Sequence, residues 1–243
     1  NQGTTLTALV RIGGLDNAFW NGAVGMMGFG DAKPYAASLD VIGHEVTHGV
    51  VEKSAGLVYE KQPGALNEAF ADIFGEMTEA RTDGQPDWLL GSRLGSPIRN
   101  MKNPAAFNLP AKMSEFRNLP NTDAGDHGGV HYNSSIINRA FYQLAAGLPN
   151  AIGLIAAERI FYRALTVHLL AQSQFIDARL ATLTSAEELF GVGSAQAVRT
   201  TEAFDSVEIF AAPSTTPPPS IPVVAAPDSY LSVEDAFFGG YEL

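Results

Sequence analysis

His44-Glu45-Val46-Thr47-His48, followed by Asn67-Glu68 and Asp72, decides how this chain is read. Residues four apart share one face of an α-helix, so His44 and His48 can aim both imidazoles at one point. Glu45 can then reach the open side of that point. Two imidazoles, one carboxylate and a water around a zinc ion form the usual hydrolytic arrangement. Glu68, near the start of the next helix, suits the place of third ligand. Asp72 lies one turn further along the same face. A metal-bound imidazole usually donates its other N–H to a carboxylate or carbonyl, and Asp72 suits that task. The plain alternative is a pair of ordinary helix histidines and two exposed acids. The apolar company of the second helix, Leu66, Ala69, Phe70, Ile73, Phe74 and Met77, argues against it.

Outward from this core, Ser38 or Asp40 is placed to N-cap the first helix, which runs to about Ser54 and stops at Ala55-Gly56. Gln62-Pro63-Gly64 reads as a turn before a second helix over 65–80. Upstream, residues 4–11 read as a strand, and the Gly-rich stretch 21–35 as short strands and turns. Residues 82–130 are loop-rich. The spacing beyond Ser134 predicts helices over 136–146, 151–170, 175–190 and 194–207, joined by short connections into a bundle. After Phe210 the chain turns Pro-rich, a linker with no means of building a core, and a tail containing Phe237-Phe238 follows.

Two further clusters carry chemistry. In Asp126-His127-Gly128-Gly129-Val130-His131 the glycines permit a tight turn that returns Asp126 to the His131 imidazole. Such a pair would hold a histidine oriented for an oxyanion. His127 competes for that role, and residue chemistry alone does not separate the two. In Asp16-Asn17-Ala18-Phe19-Trp20-Asn21-Gly22, an extended segment could offer backbone and amide hydrogen bonds to a peptide. Taken alone it is a hydrophobic edge strand.

The 243 residues are 46% hydrophobic, enough for one large domain or two small ones. A net charge of −11 is a poor field for nucleic acid or anionic membranes. The absence of cysteine excludes disulfides and thiolate metal sites. No apolar run is long enough to span a bilayer. Asn1-Gln2-Gly3 carries neither an initiator Met nor a signal peptide, so the expectation is a processed chain or a fragment.

Together these motifs, in this order, closely resemble the thermolysin-like neutral metalloproteases across most of residues 1–210. The other zinc peptidases with His-Glu-x-x-His and a distal Glu lack Asn17-Ala18-Phe19-Trp20 and Gly128-Gly129-Val130-His131. The resemblance implies an α+β fold with a truncated N-terminal β-rich lobe, a central zinc-binding helix pair and a mainly α-helical C-terminal lobe. Residues 1–40 would be the remnant lobe with the substrate edge strand. Residues 41–210 would hold the zinc helices and helical lobe, and 211–243 the linker and tail.

The same resemblance implies His44, His48 and Glu68 as zinc ligands. Asp72 and Asn67 would stand behind them. Glu45 would be the base that activates the zinc-bound water and later protonates the leaving amine. Tyr59 and His131 would support the tetrahedral intermediate, with Asp126 orienting His131. Their bland counterparts are a half-buried strand tyrosine for Tyr59 and a surface cation for Arg99. Asn17, Ala18, Trp20 and Arg99 would hold the peptide. Val41, Leu90 and Ile98 would line the pocket after the scissile bond and favour large apolar residues there. His168 matches nothing catalytic and reads as a surface residue of its helix.

Asp40, Glu79 and Asp87 match the family's main calcium site, while Leu89 and Ser92 stand where two-calcium members carry further carboxylates. The expectation is therefore one calcium ion beside the zinc. The implied protein is a secreted, monomeric zinc endopeptidase acting on peptides or proteins, without nucleic-acid or membrane partners. The competing reading is a truncated, catalytically silent zinc-binding fragment acting at most as a binding module, because the family's first lobe is much longer than the stretch before Asp40.

Overall fold

A computed structural model describes residues 5–211. The expected tail, from 212 on, lies outside the described residues. The fold is α+β: a small sheet at the N-terminal end, then helices.

The sheet has β3 (Met26–Gly30) at its centre, parallel to β1 (Thr7–Ile12) and antiparallel to β2 (Ala18–Asn21). Ala18 faces Phe29 and Trp20 faces Met27 across the β2–β3 ladder. Gly28 lies beneath the Phe19 ring: a Cβ there would stand 2.3 Å from a ring carbon. Met27 and Phe29 turn inward with Tyr35, Val41 and Leu94 to make a small core against the first helix.

That helix, α1 (Leu39–Lys53), begins after Ser38 in an extended conformation and carries Asp40 in its first turn, favourable to the positive N-terminal end of the dipole. Ser38 caps by position alone: its hydroxyl donates to Asp40 Oδ1 at 2.5 Å rather than accepting a backbone N–H. The chain leaves α1 through Gly56, whose φ of 61° costs a glycine little.

α2 (Lys61–Asp83) is the hub of the molecule, buried almost continuously from Pro63 to Met77. It starts earlier than the sequence suggests. Gln62-Pro63-Gly64 is its first turn and not a separate loop, because a proline there removes an N–H that has no helical partner anyway. α1 and α2 approach closely through glycines: a Cβ on Gly75 would stand 2.3 Å from the Asp40 carbonyl oxygen. That contact brings the residues of the two helices within reach of one another.

Beyond α2 the loops contain a two-residue hairpin ladder, β4 (Leu89–Leu90) with β5 (Arg99–Asn100). α3 (Asp126–Tyr142) is also longer than expected. Its first residues are not helical: Asp126, His127, Gly128 and Gly129 all have positive φ before the helix proper begins at Val130. α4 (Leu154–Arg163) starts later than expected because Gly153 has φ 84° and ψ 162°. α5 (Phe175–Phe190) and α6 (Ala195–Ser206) complete the bundle. Phe70, Phe74, Phe141, Phe161 and Phe204 pack around α2 as its main core.

Candidate active site

α1 presents His44 and His48 on one face, with Nε2 atoms 3.0 Å apart. Each ring is held from behind. His48 Nδ1 lies 2.8 Å from Asn67 Oδ1. Asn67 donates its amide N–H to the Leu57 carbonyl at 3.2 Å, so its oxygen faces the ring and His48 Nδ1 is the donor. His44 Nδ1 lies 2.9 Å from Asp72 Oδ1. Both Nε2 atoms face the same space, with the His48 ring fixed by a hydrogen bond and the His44 ring set close to a carboxylate but without hydrogen-bond geometry to it.

Glu68, from α2, closes that space. Its oxygens are 3.5 Å from His44 Nε2 and 3.5 Å from His48 Nε2. Burial would raise the Glu68 pKa, but the charges of His131, His48, His44 and Arg99 outweigh it and lower it to about 2. Glu68 Oε2 is buried without a hydrogen-bond donor. One orphaned carboxylate oxygen and two imidazole nitrogens, all within 4.8 Å of one another, fit a tetrahedral zinc ion in donor type and number.

Glu45 sits beside this group and is 5% exposed. Its carboxyl is pushed up to about 7, mainly by burial, with the nearby His48 charge opposing. A carboxylate near neutrality can both take and return a proton.

On the opposite side, Tyr59 and His131 converge. The Tyr59 hydroxyl donates to Glu68 Oε1 at 2.5 Å and lies 3.2 Å from His131 Nε2. Burial and the Glu68 charge hold the phenol well above its usual range, so Tyr59 is a permanent donor. Tyr59 belongs to no strand and is 40% exposed. Asp126 grips His131 twice: Oδ1 is 2.5 Å from the ring Nδ1, and Oδ2 accepts the backbone N–H at 2.9 Å. The left-handed run Asp126–Gly129 makes that return possible. Burial works against a charged His131, but Glu68 and Asp126 overcome it and raise its pKa. His127, the competing candidate, lies instead near Asp123 (3.7 Å) and edge-on to the Tyr59 ring.

The cleft around these groups is lined by Asn17, Ala18, Trp20, Val41, Leu90, Ile98 and Arg99, together with His44, Glu45, His48, Glu68, Tyr59, Asn67 and His131. Arg99 is no surface cation. It is 8% exposed and forks onto Asp72, Nε to Oδ2 and Nη2 to Oδ1, both at 2.7 Å. Asp72 also accepts from Asn138 at 2.7 Å. His168, half-buried at the end of the π-helical segment Ala164–His168 that continues α4, is 2.9 Å from Glu188 and far from this chemistry in the chain.

The expected calcium group is only partly assembled. Glu79 and Asp87 do come together, but the third oxygen within 4.8 Å belongs to Glu76, not Asp40. Asp40 lies close by, and its charge helps raise Glu79; its carboxylate also accepts from Ser38 Oγ and from the backbone N–H groups of Val41 and Gly91. Glu76 is fully buried, with Oε1 accepting from Trp88 N and Oε2 unpartnered. Burial pushes its carboxyl up to about 8. Arg93 already supplies one positive charge, 2.9 Å from Glu79 Oε1. Glu76 escaped the sequence reading; its only signal was an acid set among the apolar positions of α2. Glu52, which accepts the Trp20 indole N–H at 3.0 Å, was likewise missed.

Residues 1–52 match the family description "Thermolysin metallopeptidase, catalytic domain", and residues 55–209 match "Thermolysin metallopeptidase, alpha-helical domain". The chain is 41% identical over 214 residues to the neutral protease NprE of Bacillus pumilus, covering 85% of this chain and 68% of that protein. It is 41% identical over 214 residues to bacillolysin of Bacillus subtilis (strain 168), but spans only 39% of that protein's length. Among solved structures it resembles the precursor of protealysin, a metalloproteinase from Serratia proteamaculans. The TM-score is 0.75 and the identity 33%, covering 86% of this chain and 70% of that one.

Proposed function

Because this chain belongs to the thermolysin family of metallopeptidases, we propose that it is a zinc-dependent endopeptidase whose site is the cleft between β2, α1 and α2. The observation that carries this is the convergence of His44 Nε2, His48 Nε2 and the Glu68 carboxylate beside a buried Glu45.

His44, His48 and Glu68 are the residues that would hold zinc, with Asp72 and Asn67 fixing the two rings. A zinc ion held there supplies Lewis-acid polarisation of a peptide carbonyl and acidifies water. Glu45 removes the proton from the attacking water and passes it to the leaving amine nitrogen. The Tyr59 hydroxyl and the His131 ring donate hydrogen bonds to the oxyanion that develops on the carbonyl. Asp126, after Glu68, favours the charged form of His131, and its two contacts aim the ring. Asn17, Ala18 and Trp20 on the open edge of β2 align the peptide, as an edge strand can. Val41, Leu90 and Ile98 form the apolar lining that would favour a large apolar residue after the scissile bond.

Residues 1–40 are proposed as one wall and 41–210 as the zinc helices and helical lobe. The expected calcium is proposed at Glu79 and Asp87, which group with Glu76, with Asp40 beside them. An extracellular location rests on the family resemblance alone; no described helix is long and apolar enough to cross a membrane.

The test is hydrolysis of casein or a furylacryloyl peptide with and without a chelator, beside Glu45→Ala. Chelator-sensitive turnover that disappears in Glu45→Ala supports the peptidase. Zinc bound by folded protein with no turnover supports the silent binding module instead. Folded protein with neither zinc nor turnover sinks both.

A further inference from the structure

Trp20 is the one large side chain of β2 that reaches from the strand onto α1, and its seat there is specific. The indole N–H donates to Glu52 Oε2 at 3.0 Å. The ring lies against Gly49, where a Cβ would stand 2.9 Å from a ring carbon. The Glu52 carboxylate in turn occupies space left open by Gly22, where a Cβ would fall 2.0 Å from Oε2. Three residues of no evident chemistry, Gly22, Gly49 and Glu52, are thus shaped around one indole.

Among the described residues β2 has a single ladder partner, β3, and it lines the cleft. Its distance from the histidines of α1 therefore depends on what ties it to that helix. Ala18 and Trp20 pack on the small core with Val46, but apolar contacts are non-directional and tolerate sliding. A hydrogen bond to a carboxylate is directional and stronger than a neutral one.

We propose that Glu52 is a positioning residue: by holding the Trp20 indole it sets the spacing between the peptide-aligning strand and the His44–His48 helix, and so sets peptide affinity. The inference rests on the peptidase reading above. Glu52 lines the cleft beside Trp20 but is hydrogen-bonded to none of the residues that would hold zinc. Its other oxygen contacts Lys53 Nζ at 2.6 Å, an exposed pair of little consequence.

The chain has two tryptophans, so an ¹⁵N-labelled sample gives two indole N–H signals. Trp20→Phe assigns one of them. In Glu52→Leu the Trp20 signal should move while the Trp88 signal stays. KM for a furylacryloyl peptide should rise roughly five- to tenfold, the loss expected of one directional hydrogen bond, with kcat within about twofold. Glu52→Gln, which keeps an acceptor, should restore both. Gly22→Ala, which displaces the carboxylate without altering either partner, should mimic Glu52→Leu. An unchanged KM in Glu52→Leu, or a Glu52→Gln protein as impaired as Glu52→Leu, overturns the proposal. Wild-type protein with no peptide turnover overturns the peptidase reading and this role together, and the indole signals then report only a structural bond.

Discussion

Asp72 and Arg99, 27 residues apart in the chain, form a two-point ion pair inside the protein, with both contacts at 2.7 Å. Burial alone would raise the Asp72 pKa; Arg99 and His44 instead hold its carboxylate far below the usual range. One acid thereby lies 2.9 Å from His44 Nδ1, anchors Arg99 at the cleft and accepts from Asn138. Removing one partner of a buried pair strands the other. Arg99→Ala should therefore cost about 3–5 kcal/mol, a melting point lower by roughly 10 °C. Calorimetry checks this, and a loss of only a degree or two would show that the pair is solvated.

His131 is gripped by Asp126 at both ring and backbone. His131→Ala should lower kcat by about 10²- to 10³-fold, the cost of losing an oxyanion donor, with KM little altered. Asp126→Asn should give a smaller loss and shift the His131 titration downward, because Glu68 remains but the second of the two charges that raise its pKa is gone. Steady-state kinetics and a histidine NMR titration measure both. A proportional rise in KM would place His131 in ground-state binding.

Glu76, Glu79 and Asp87 crowd negative charge around one point, with Arg93 as partial compensation. Calcium at a hundredfold excess over its Kd should add ~2.7 kcal/mol, raising the melting point by roughly 5–10 °C. Glu76→Gln should lose most of that gain. An equal calcium response in Glu76→Gln would exclude Glu76 as a ligand.

Glu208 pins the loop at 112–114 to the end of α6, accepting from Lys112 Nζ at 2.8 Å and from Ser114 N at 2.9 Å. The hydrogen bond from Lys112, chiefly, lowers its pKa from 4.5 to about 2. A carboxylate with a depressed folded pKa stabilises above its unfolded value and loses that contribution as pH falls through the folded one. The melting-point gap between wild type and Glu208→Gln should be constant above 4.5 and close as pH falls toward 2. A gap that persists at the acid end would mean the contact does not depend on charge.

Some elements were legible residue by residue because their limits are written locally. α5 runs from Phe175 to Phe190 as expected, since Gln174 and Asp177 form a capping box and Gly191 follows its end. Gln62-Pro63-Gly64 misled because the same residues serve a turn or a first helical turn. Their choice was made by distant packing: a Cβ on Gly64 would meet the Val130 side chain at 2.5 Å. Arg99 had two readings in the sequence, and Asp72 inside the fold decided between them.

The pairing of His44 with His48 and the nearness of Asp126 to His131 follow from backbone geometry over a few residues, so the order of amino acids was sufficient to indicate them. Which acid completes the Glu79–Asp87 group, where Arg99 points, and what Trp20 rests against depend on contacts between segments far apart in the chain. Those contacts are set by how α1 and α2 approach through Gly43 and Gly75 and by which groups are thereby buried. A buried polar group takes whatever partner the packing brings to it, and no local pattern encodes that partner. The clearest case is Glu76: little in its local sequence marks it, but the fold brings its carboxylate together with Glu79 and Asp87.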